Sequence, residues 1–249
     1  MALRFQPYPG FTAMMAILTA ILMALGVWQI ERLHWKLDLI ATMDRKMHAA
    51  PVAVDGGDAP LAHSPQNEYA RVSLEGRFDN AKEAYVFTTG PGGIPVYHVL
   101  TPFMTDAGRT YLVDRGMVPL DKRDPATRAR GQITGKTHIV GIWRTPDAPG
   151  WFTPAPDAAR RTWYARDVKA IAASDHIMLA APVVIEADAT ANPGGWPQGG
   201  QTVVNLPNNH LSYAVTWFGL AAGLIGVYFA YHISKGRLRW TRGEGVHSV

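Results

Sequence analysis

The sequence predicts a membrane protein with two transmembrane α-helices that flank an exported, mainly antiparallel β (α+β) domain. Near the C-terminus, the run from Leu211 to Ile233 contains no charged residue. At about 1.5 Å per helical residue this run is long enough to cross a bilayer, and a similar apolar run lies near the N-terminus. Between the two runs, short alternating segments are separated by turn residues, a pattern typical of antiparallel strands.

These features divide the chain into five segments. They are a cytoplasmic N-terminus (1–10), transmembrane helix 1 (11–30), the exported β-rich domain (31–207), transmembrane helix 2 (208–233) and a basic cytoplasmic tail (234–249). The positive-inside rule places the tail in the cytoplasm because four cations directly follow the second run: Lys235, Arg237, Arg239 and Arg242. Since two spans return the chain to its starting side, we expect a cytoplasmic N-terminus and an exported central domain.

The first apolar run has an alternative interpretation as a signal peptide. Ala24-Leu25-Gly26 has the small-x-small form of a cleavage site. Only one side-chain charge, Arg4, precedes the run, and apolar residues continue past the site. These two features favour a retained anchor. Apolar residues at helical spacing after Glu31 predict that this helix extends beyond the bilayer.

The central domain is predicted to form an antiparallel sheet or a small barrel. Turn sequences such as Pro91-Gly92-Gly93 and Asp106-Ala107-Gly108 separate its strands. After a loop rich in Gly and Pro, Asn208 is predicted to cap the second span. The predicted strands cover residues 69–78, 83–89, 95–103, 109–118, 136–144 and 182–186, and a short helix covers 167–174.

Composition excludes several kinds of site. The chain has no cysteine, which excludes disulfides, thiolate metal ligands, iron–sulfur clusters and covalent haem attachment. The net charge of +4 does not indicate nucleic acid as a partner, because four of the basic residues directly follow the second span. The expected partner of that charge is the lipid bilayer.

The strongest candidate for a functional residue is His210, where the second span enters the membrane. An imidazole at this boundary stays neutral and offers a nitrogen to a metal. At 100° per residue, Tyr213 and Trp217 lie within about 60° of His210 around the helix. A flat, apolar, metal-containing ligand fits this face. The structural alternative is an interfacial histidine with Tyr213 and Trp217 in the aromatic belt.

The opposite face of the same helix carries small residues, which let a second helix approach closely. We expect this small-residue face to pack against the alanines of the first span, leaving the His210 face to lipid or to a partner protein. The small-residue face consists of Gly219, Gly223, Gly226 and Ala230.

No catalytic residue is predicted. The chain contains no G-x-S-x-G elbow, H-E-x-x-H metal motif or G-x-x-x-x-G-K-[ST] phosphate loop. Asp114 and Arg115 are interpreted as an ordinary ion pair or turn at a strand end, in preference to a catalytic pair. His98 and His138 lie in predicted strands, where a satisfied or exposed histidine is the usual finding. His232 is interpreted as a membrane-interface residue.

Four blocks of the chain form a distinctive set: residues 26–36 (GVWQIERLHWK), 76–78 (GRF), 112–119 (LVDRGMVP) and 208–218 (NNHLSYAVTWF). Together they resemble the Surfeit locus protein family of cytochrome c oxidase assembly factors, in its bacterial form. The last block is the most specific. Two positions depart from the family pattern: Met117 replaces an aromatic residue and Asp114 replaces a neutral polar residue.

The resemblance implies a non-enzymatic role in haem-copper oxidase assembly. In bacterial members the histidine that heads the second span is linked to haem a, which implies that His210 is the metal ligand. Tyr213 and Trp217, which helical rotation places near His210, are the other predicted cofactor-binding residues. Haem a is then a transiently bound cargo, received from haem a synthase and delivered to the catalytic oxidase subunit. Without a mitochondrial-type presequence, the expected location is the bacterial inner membrane, with the domain in the periplasm.

Two alternatives belong to other functional classes. The chain is, in one, an assembly scaffold that steadies oxidase subunits without holding haem. In the other it is an anchored hydrolase, because an active site carried by strands can lack short motifs. Such a site would use Asp114, His98 or His138.

Overall fold

A computed structural model describes residues 2–55, 61, 63–146, 148–202 and 206–241. The chain forms two compact units, one from Met1–Ala41 with Asn205–Val249 and the other from Thr42–Val204. Arg242 and the remainder of the predicted basic tail lie outside the described residues.

The described residues form three α-helices and ten strands. In chain order they are β1 (Ala2–Phe5), α1 (Pro9–His48), β2 (Val52–Ala53), β3 (Arg71–Phe78), β4 (Ala84–Thr89), β5 (Pro95–Thr105), β6 (Thr110–Pro119), β7 (Thr137–Arg144), β8 (Thr162–Trp163), α2 (Val168–Ser174), β9 (Val184–Ala187), α3 (His210–Ser234) and β10 (Leu238–Thr241). Short 3-10 helices lie at Pro65–Asn67, Asn80–Lys82, Pro91–Gly93, Leu120–Lys122, Pro125–Gly131 and Pro193–Gly195.

Most predicted elements are confirmed. The six predicted strands are β3 to β7 and β9, and the predicted short helix is α2, with Asp167 accepting a hydrogen bond from Ala170 N at its start. The continuous α1 confirms that the first helix extends past its apolar run. The predicted cap is wrong, because α3 begins at His210 and Asn209 occupies the cap position without a side-chain capping bond. The Asn209 carbonyl instead accepts from the Ser212 hydroxyl, 2.8 Å away.

Both α1 and α3 are long and apolar enough to cross a membrane. They run antiparallel and contact each other along one face of each helix, which we call the seam. At one end His210 Nδ1 lies 2.8 Å from Gln29 Oε1. At the other, Thr12 Oγ1 lies 2.8 Å from the Tyr228 hydroxyl. Beyond that second end β1 pairs with β10, so both terminal strands lie at the same end of the helix pair.

The expected packing of the small-residue face is wrong. A Cβ placed on Gly219, Gly223 or Gly226 would meet nothing within 4 Å outside the helix backbone. This face therefore makes no close contact with α1 among the described residues. The seam lies on the opposite side of α3, the side that carries His210.

Two features explain why the helices meet along the seam: the polar residues at its two ends, and Gly26 of α1. Ala214 and Ala221 of α3 are each 1% exposed and let the helices approach. A Cβ on Gly26 of α1 would stand 2.5 Å from a carbon of the Phe218 ring, so only glycine accommodates that ring without a shift. The polar pairs at both ends and the close approach at Gly26 favour this register over packing through the glycines of α3.

The second unit is a mainly antiparallel sheet that closes into a ring, so of the two predicted forms, a sheet or a small barrel, the structure shows the barrel. In the ring, β3 pairs with β7, β7 with β9, β9 with β6, β6 with β5, and β5 with β3. The strands β4 and β8 extend the sheet beyond β5, and β2 pairs with β3. Three pairings are parallel: β2 with β3, β4 with β8 and β6 with β9.

Two apolar clusters lie on the two faces of this sheet. Every ring strand contributes to the first cluster, which includes Val72, Phe103, Tyr111, Trp143 and Ile185. The second cluster packs α2 against the outer face and includes Leu100, Leu112, Trp163, Ile171 and Val184. Along β6, Tyr111, Leu112 and Val113 alternate between the clusters, as strand geometry requires. The next two residues, Asp114 and Arg115, consequently point to opposite faces.

Candidate functional site

His210 is the first residue of α3, and its imidazole is half-buried against α1. Its Nδ1 faces the side-chain oxygen of Gln29, which is 9% exposed. An amide oxygen can only accept a hydrogen bond, so Nδ1 is the donor in this contact. Nε2 is then the nitrogen left for a ligand, and no hydrogen bond to it occurs in the described part of the chain.

This arrangement fits an iron ligand. A metal-bound histidine usually donates its other ring N–H to an oxygen, which fixes the tautomer and the orientation of the ring. Gln29 supplies that oxygen from the neighbouring helix. The residues present therefore fit a haem: Nε2 of His210 would bind the iron, and the apolar surface of α3 would contact the ring.

Tyr213 and Trp217 flank His210 but do not form a wall opposite α1. By rotation Trp217 lies about 20° and Tyr213 about 60° from His210, both on the side away from Ala214. Trp217 is half-buried, and Tyr213 is 55% exposed. The expectation that the His210 face points away from α1 is wrong, because Gln29 draws the imidazole to the edge of the seam. His210 itself is only half-buried, so part of its ring is accessible.

His232 lies at the other end of the seam and is completely buried. Its Nδ1 lies 2.9 Å from the Tyr228 carbonyl oxygen, and its Nε2 has no hydrogen-bond partner. The side chain is therefore enclosed by protein near the end of α3, and the interpretation of His232 as a membrane-interface residue stays a prediction. Five rings lie with centroids 4.3 to 6.0 Å from the imidazole: Phe5, Tyr8, Phe11, Tyr228 and Tyr231.

In the second unit the structure brings together two of the three residues considered for a strand-borne site. His98 Nδ1 donates to Asp114 Oδ2 across 2.8 Å. A bulge between His98 and Leu100 shifts the register of β5 against β6 beside this pair. His138 does not join them, because it lies 3.9 Å from Glu75 with 56% of its side chain exposed.

Asp114 and Arg115 do not form a pair at a strand end. They lie inside β6 on opposite faces, and each is paired elsewhere. Arg115 Nη1 lies 3.6 Å from Glu83 Oε1, and Arg128 Nη2 lies 2.5 Å from Glu83 Oε2. These three side chains are nearly inaccessible, and the guanidinium of Arg115 stands 4.4 Å from the Phe78 ring centroid. This cluster is closed to solvent.

The titration of the His98–Asp114 pair favours its charged form. Burial acts to lower the pKa of His98, but the charge and hydrogen bond of Asp114 outweigh it and raise that pKa above the usual value. Burial also acts to raise the pKa of Asp114, yet His98, Arg166 and the Gly116 N–H hold it below its usual range. The pair therefore stays ionised over a wider pH range than isolated groups.

Comparison with known proteins settles the family. A model of the SURF1 family matches residues 16–222. The chain belongs to this family. Surfeit locus protein 1 of Takifugu rubripes is 35% identical over 235 residues, covering 88% of this chain and 95% of that protein. The Homo sapiens protein of that name is 37% identical over 221 residues, covering 82% and 72%, and a SURF1-like protein of Monosiga brevicollis is 38% identical over 210 residues, covering 80% and 78%.

The SURF1 family, whose members are known as cytochrome c oxidase assembly factors, confirms the resemblance found in the sequence blocks. The matched range includes Gln29, His98, Asp114 and His210, and it ends before His232. Sequence reasoning singled out His210 but missed Gln29, whose signal was its place beside Trp28 at the end of the first apolar run. It also missed Arg166 and Glu186, which lie in unremarkable local sequence.

Proposed function

We propose that this chain is a cytochrome c oxidase assembly factor that carries haem a on His210 and delivers it to the catalytic oxidase subunit. Membership of the SURF1 family supports the assembly role. The observation that supports the haem site is the 2.8 Å contact between His210 Nδ1 and Gln29 Oε1. It presents an oriented imidazole whose second nitrogen carries the lone pair that iron requires.

The geometry suits a carrier better than an enzyme. A carrier must release its cargo, and a single axial imidazole leaves the other face of the iron open to a histidine of the acceptor. The half-buried position of His210 at the edge of the seam gives an incoming ring access from one side. Haem a synthase is the proposed donor, and the catalytic oxidase subunit is the proposed acceptor.

The proposed location is the bacterial inner membrane, with the β-rich domain in the periplasm. Two helices that could each span the bilayer support a membrane location. The pairing of β1 with β10 supports placing both termini on one side. Alkaline phosphatase fused to the C-terminus should be inactive if that side is the cytoplasm, and high phosphatase activity would contradict this topology.

The proposal is tested by purifying the full chain from cells that make haem a and recording its absorbance. Wild-type protein should carry haem a, and His210→Ala should lose most of it while both units keep their secondary structure by circular dichroism. Equal haem content in the two proteins would reject the His210 site and leave the assembly role to be explained without haem.

The scaffold function has one observation in its favour. Trp151 and Phe152 are 95% and 93% exposed, in an irregular segment of the β-rich unit. Adjacent exposed aromatic residues are typical of protein contact sites. If Trp151→Ser/Phe152→Ser abolishes oxidase assembly while haem content is unchanged, the scaffold contributes independently of the carrier.

A further inference from the structure

A polar cavity of about 400 Å³ opens beside the His98–Asp114 pair in the β-rich unit. Strands β4, β5, β7 and β9 form its floor, and the loop around Ala148 and Thr153 forms one wall. On this face of the sheet, Val86 is the register partner of His98. Asp114 is the register partner of Glu186. The cavity lies where the apolar layer under α2 gives way to charged side chains.

The ionisable side chains that line this cavity are mostly cationic. His98, Arg144 and Arg166 line it together with one carboxylate, Glu186. Glu186 accepts hydrogen bonds from Arg166 and from Thr202. Asp114, with 2% of its side chain exposed, lies beneath the lining and does not reach the opening. Two further carboxylates contact these cations from outside the lining: Asp114 lies 3.8 Å from Arg166 Nη1, and Glu68 lies 3.3 Å from Arg144 Nε.

Two donors of this lining lack an acceptor. His98 uses Nδ1 for Asp114, which leaves Nε2 as the nitrogen available to a ligand. The Asp114 carboxylate raises the pKa of His98, so Nε2 carries a proton to higher pH than in a free histidine. Arg144 Nε is buried without a hydrogen bond, its nearest carboxylate oxygen being that of Glu68 at 3.3 Å. Buried donors of this kind are normally satisfied.

We propose that this cavity is a binding site for a small oxyanion, a carboxylate or a phosphate group, held by His98 Nε2, Arg144 and Arg166. Guanidinium and imidazolium groups form short charge-assisted hydrogen bonds with both kinds of anion. The hydroxyls of Thr88, Thr89 and Tyr164 line the same cavity and can donate to further oxygens. The site is independent of His210, since it lies within the other unit.

The charged cluster around Glu83, on the other face of β6, provides a comparison for this cavity. Around Glu83 the carboxylate accepts from Arg128, Gln132 and Tyr85, and the three charged side chains of that cluster are at most 2% exposed. His98, Arg144 and Arg166 keep 14% to 21% of their side chains exposed. A charged network left open to a cavity, in which His98 Nε2 and Arg144 Nε make no hydrogen bond among the described residues, is the form of a binding site.

The test is calorimetric titration of the full chain in detergent with inorganic phosphate and with acetate, against chloride at matched ionic strength. We expect saturable binding that weakens about tenfold or more in His98→Gln, which retains a donor for Asp114 but loses the imidazolium. The control His138→Gln removes an exposed histidine near Glu75 and should bind like wild type. Phosphate binding alone would identify a phosphate group as the ligand, and acetate binding alone would identify a carboxylate.

A second measurement needs no variant. In wild-type protein labelled with 15N-histidine, the Nε2 resonance of one histidine should shift as either anion is added and not as chloride is added. No saturable heat beyond chloride, or equal affinity in wild type and folded His98→Gln, would overturn the proposal. An Nε2 resonance that ignores both anions would overturn it as well.

Discussion

The two ends of the helix pair each contain a histidine, and they differ in what surrounds it. His210 is half-buried, its Nδ1 contacts the Gln29 amide oxygen, and part of its ring is accessible. His232 is fully buried among five aromatic rings, and its Nε2 faces no partner. The same residue type on one helix is therefore a ligand candidate at one end and a packing element at the other. Access and an orienting hydrogen bond decide between these roles.

The largest effect expected from this comparison is on haem content. His210→Phe removes the nitrogen that the proposal assigns to the iron and should lower haem a occupancy about a hundredfold. His232→Phe removes a buried polar group without a full set of partners, and should change the free energy of unfolding by less than ~1 kcal/mol. Absorbance of both purified variants measures this. Comparable haem loss in the two variants would erase the distinction between the ends.

The seam joins the two ends, and Gly26 should control it. Gly26→Val places side-chain atoms where the Phe218 ring lies, so the helices must separate at a cost of ~3 kcal/mol. The control is Gly223→Val, which introduces the same side chain on an open face of α3. Unfolding in sodium dodecyl sulfate, followed by circular dichroism, should show the loss only for Gly26→Val. A larger loss of stability for Gly223→Val would indicate that the helices pack through the small-residue face instead.

Removing the Gln29 side-chain amide tests whether its contact with His210 orients the imidazole for haem. Gln29→Leu keeps the volume but leaves Nδ1–H without an acceptor, so haem affinity should fall about 10- to 100-fold. Gln29→Glu restores an acceptor oxygen and should recover most of the affinity. Competition with apomyoglobin measures both values. If Gln29→Leu binds haem as tightly as wild type, Gln29 only joins the helices.

The smallest effect is expected from the aromatic flank. Trp217 is half-buried and lies near His210, so Trp217→Ala should weaken haem binding by ~1 kcal/mol through lost apolar contact. Tyr213, being more exposed, should contribute less. The same competition assay detects the difference. A greater loss for Tyr213→Ala than for Trp217→Ala would place the bound ring on another side of His210.

The local sequence predicted the helices and strands of this chain because apolar spacing and turn residues determine where such elements begin and end. Alternation and turn sequences located β3 to β7 to within two residues at each end. Helical rotation grouped Gly219, Gly223 and Gly226 on one face correctly, but it could not show which face packs. That choice depends on partners in the other helix, Gln29 and Gly26, which are distant in sequence.

Long-range pairing explains the remaining misses. The closure of β3 onto β5 and the pairing of β1 with β10 join residues far apart in the chain, with no local signal. The proximity of His98 and Asp114 could have been predicted from the sequence. Counting outward from the tight turn at Asp106-Ala107-Gly108 places them on one face of the hairpin, two positions apart along β5. The register shift beside them, and the hydrogen bond between their side chains, are visible only in the structure.

Pulsed electron paramagnetic resonance of the ferric, haem a-loaded chain tests the central claim most directly. In protein labelled with 15N-histidine, we expect a strong hyperfine coupling from one imidazole nitrogen to the iron. That coupling should persist in His232→Phe and disappear in His210→Ala. A coupling that survives His210→Ala, or that is absent from the wild-type protein, would contradict the assignment of His210 as the ligand.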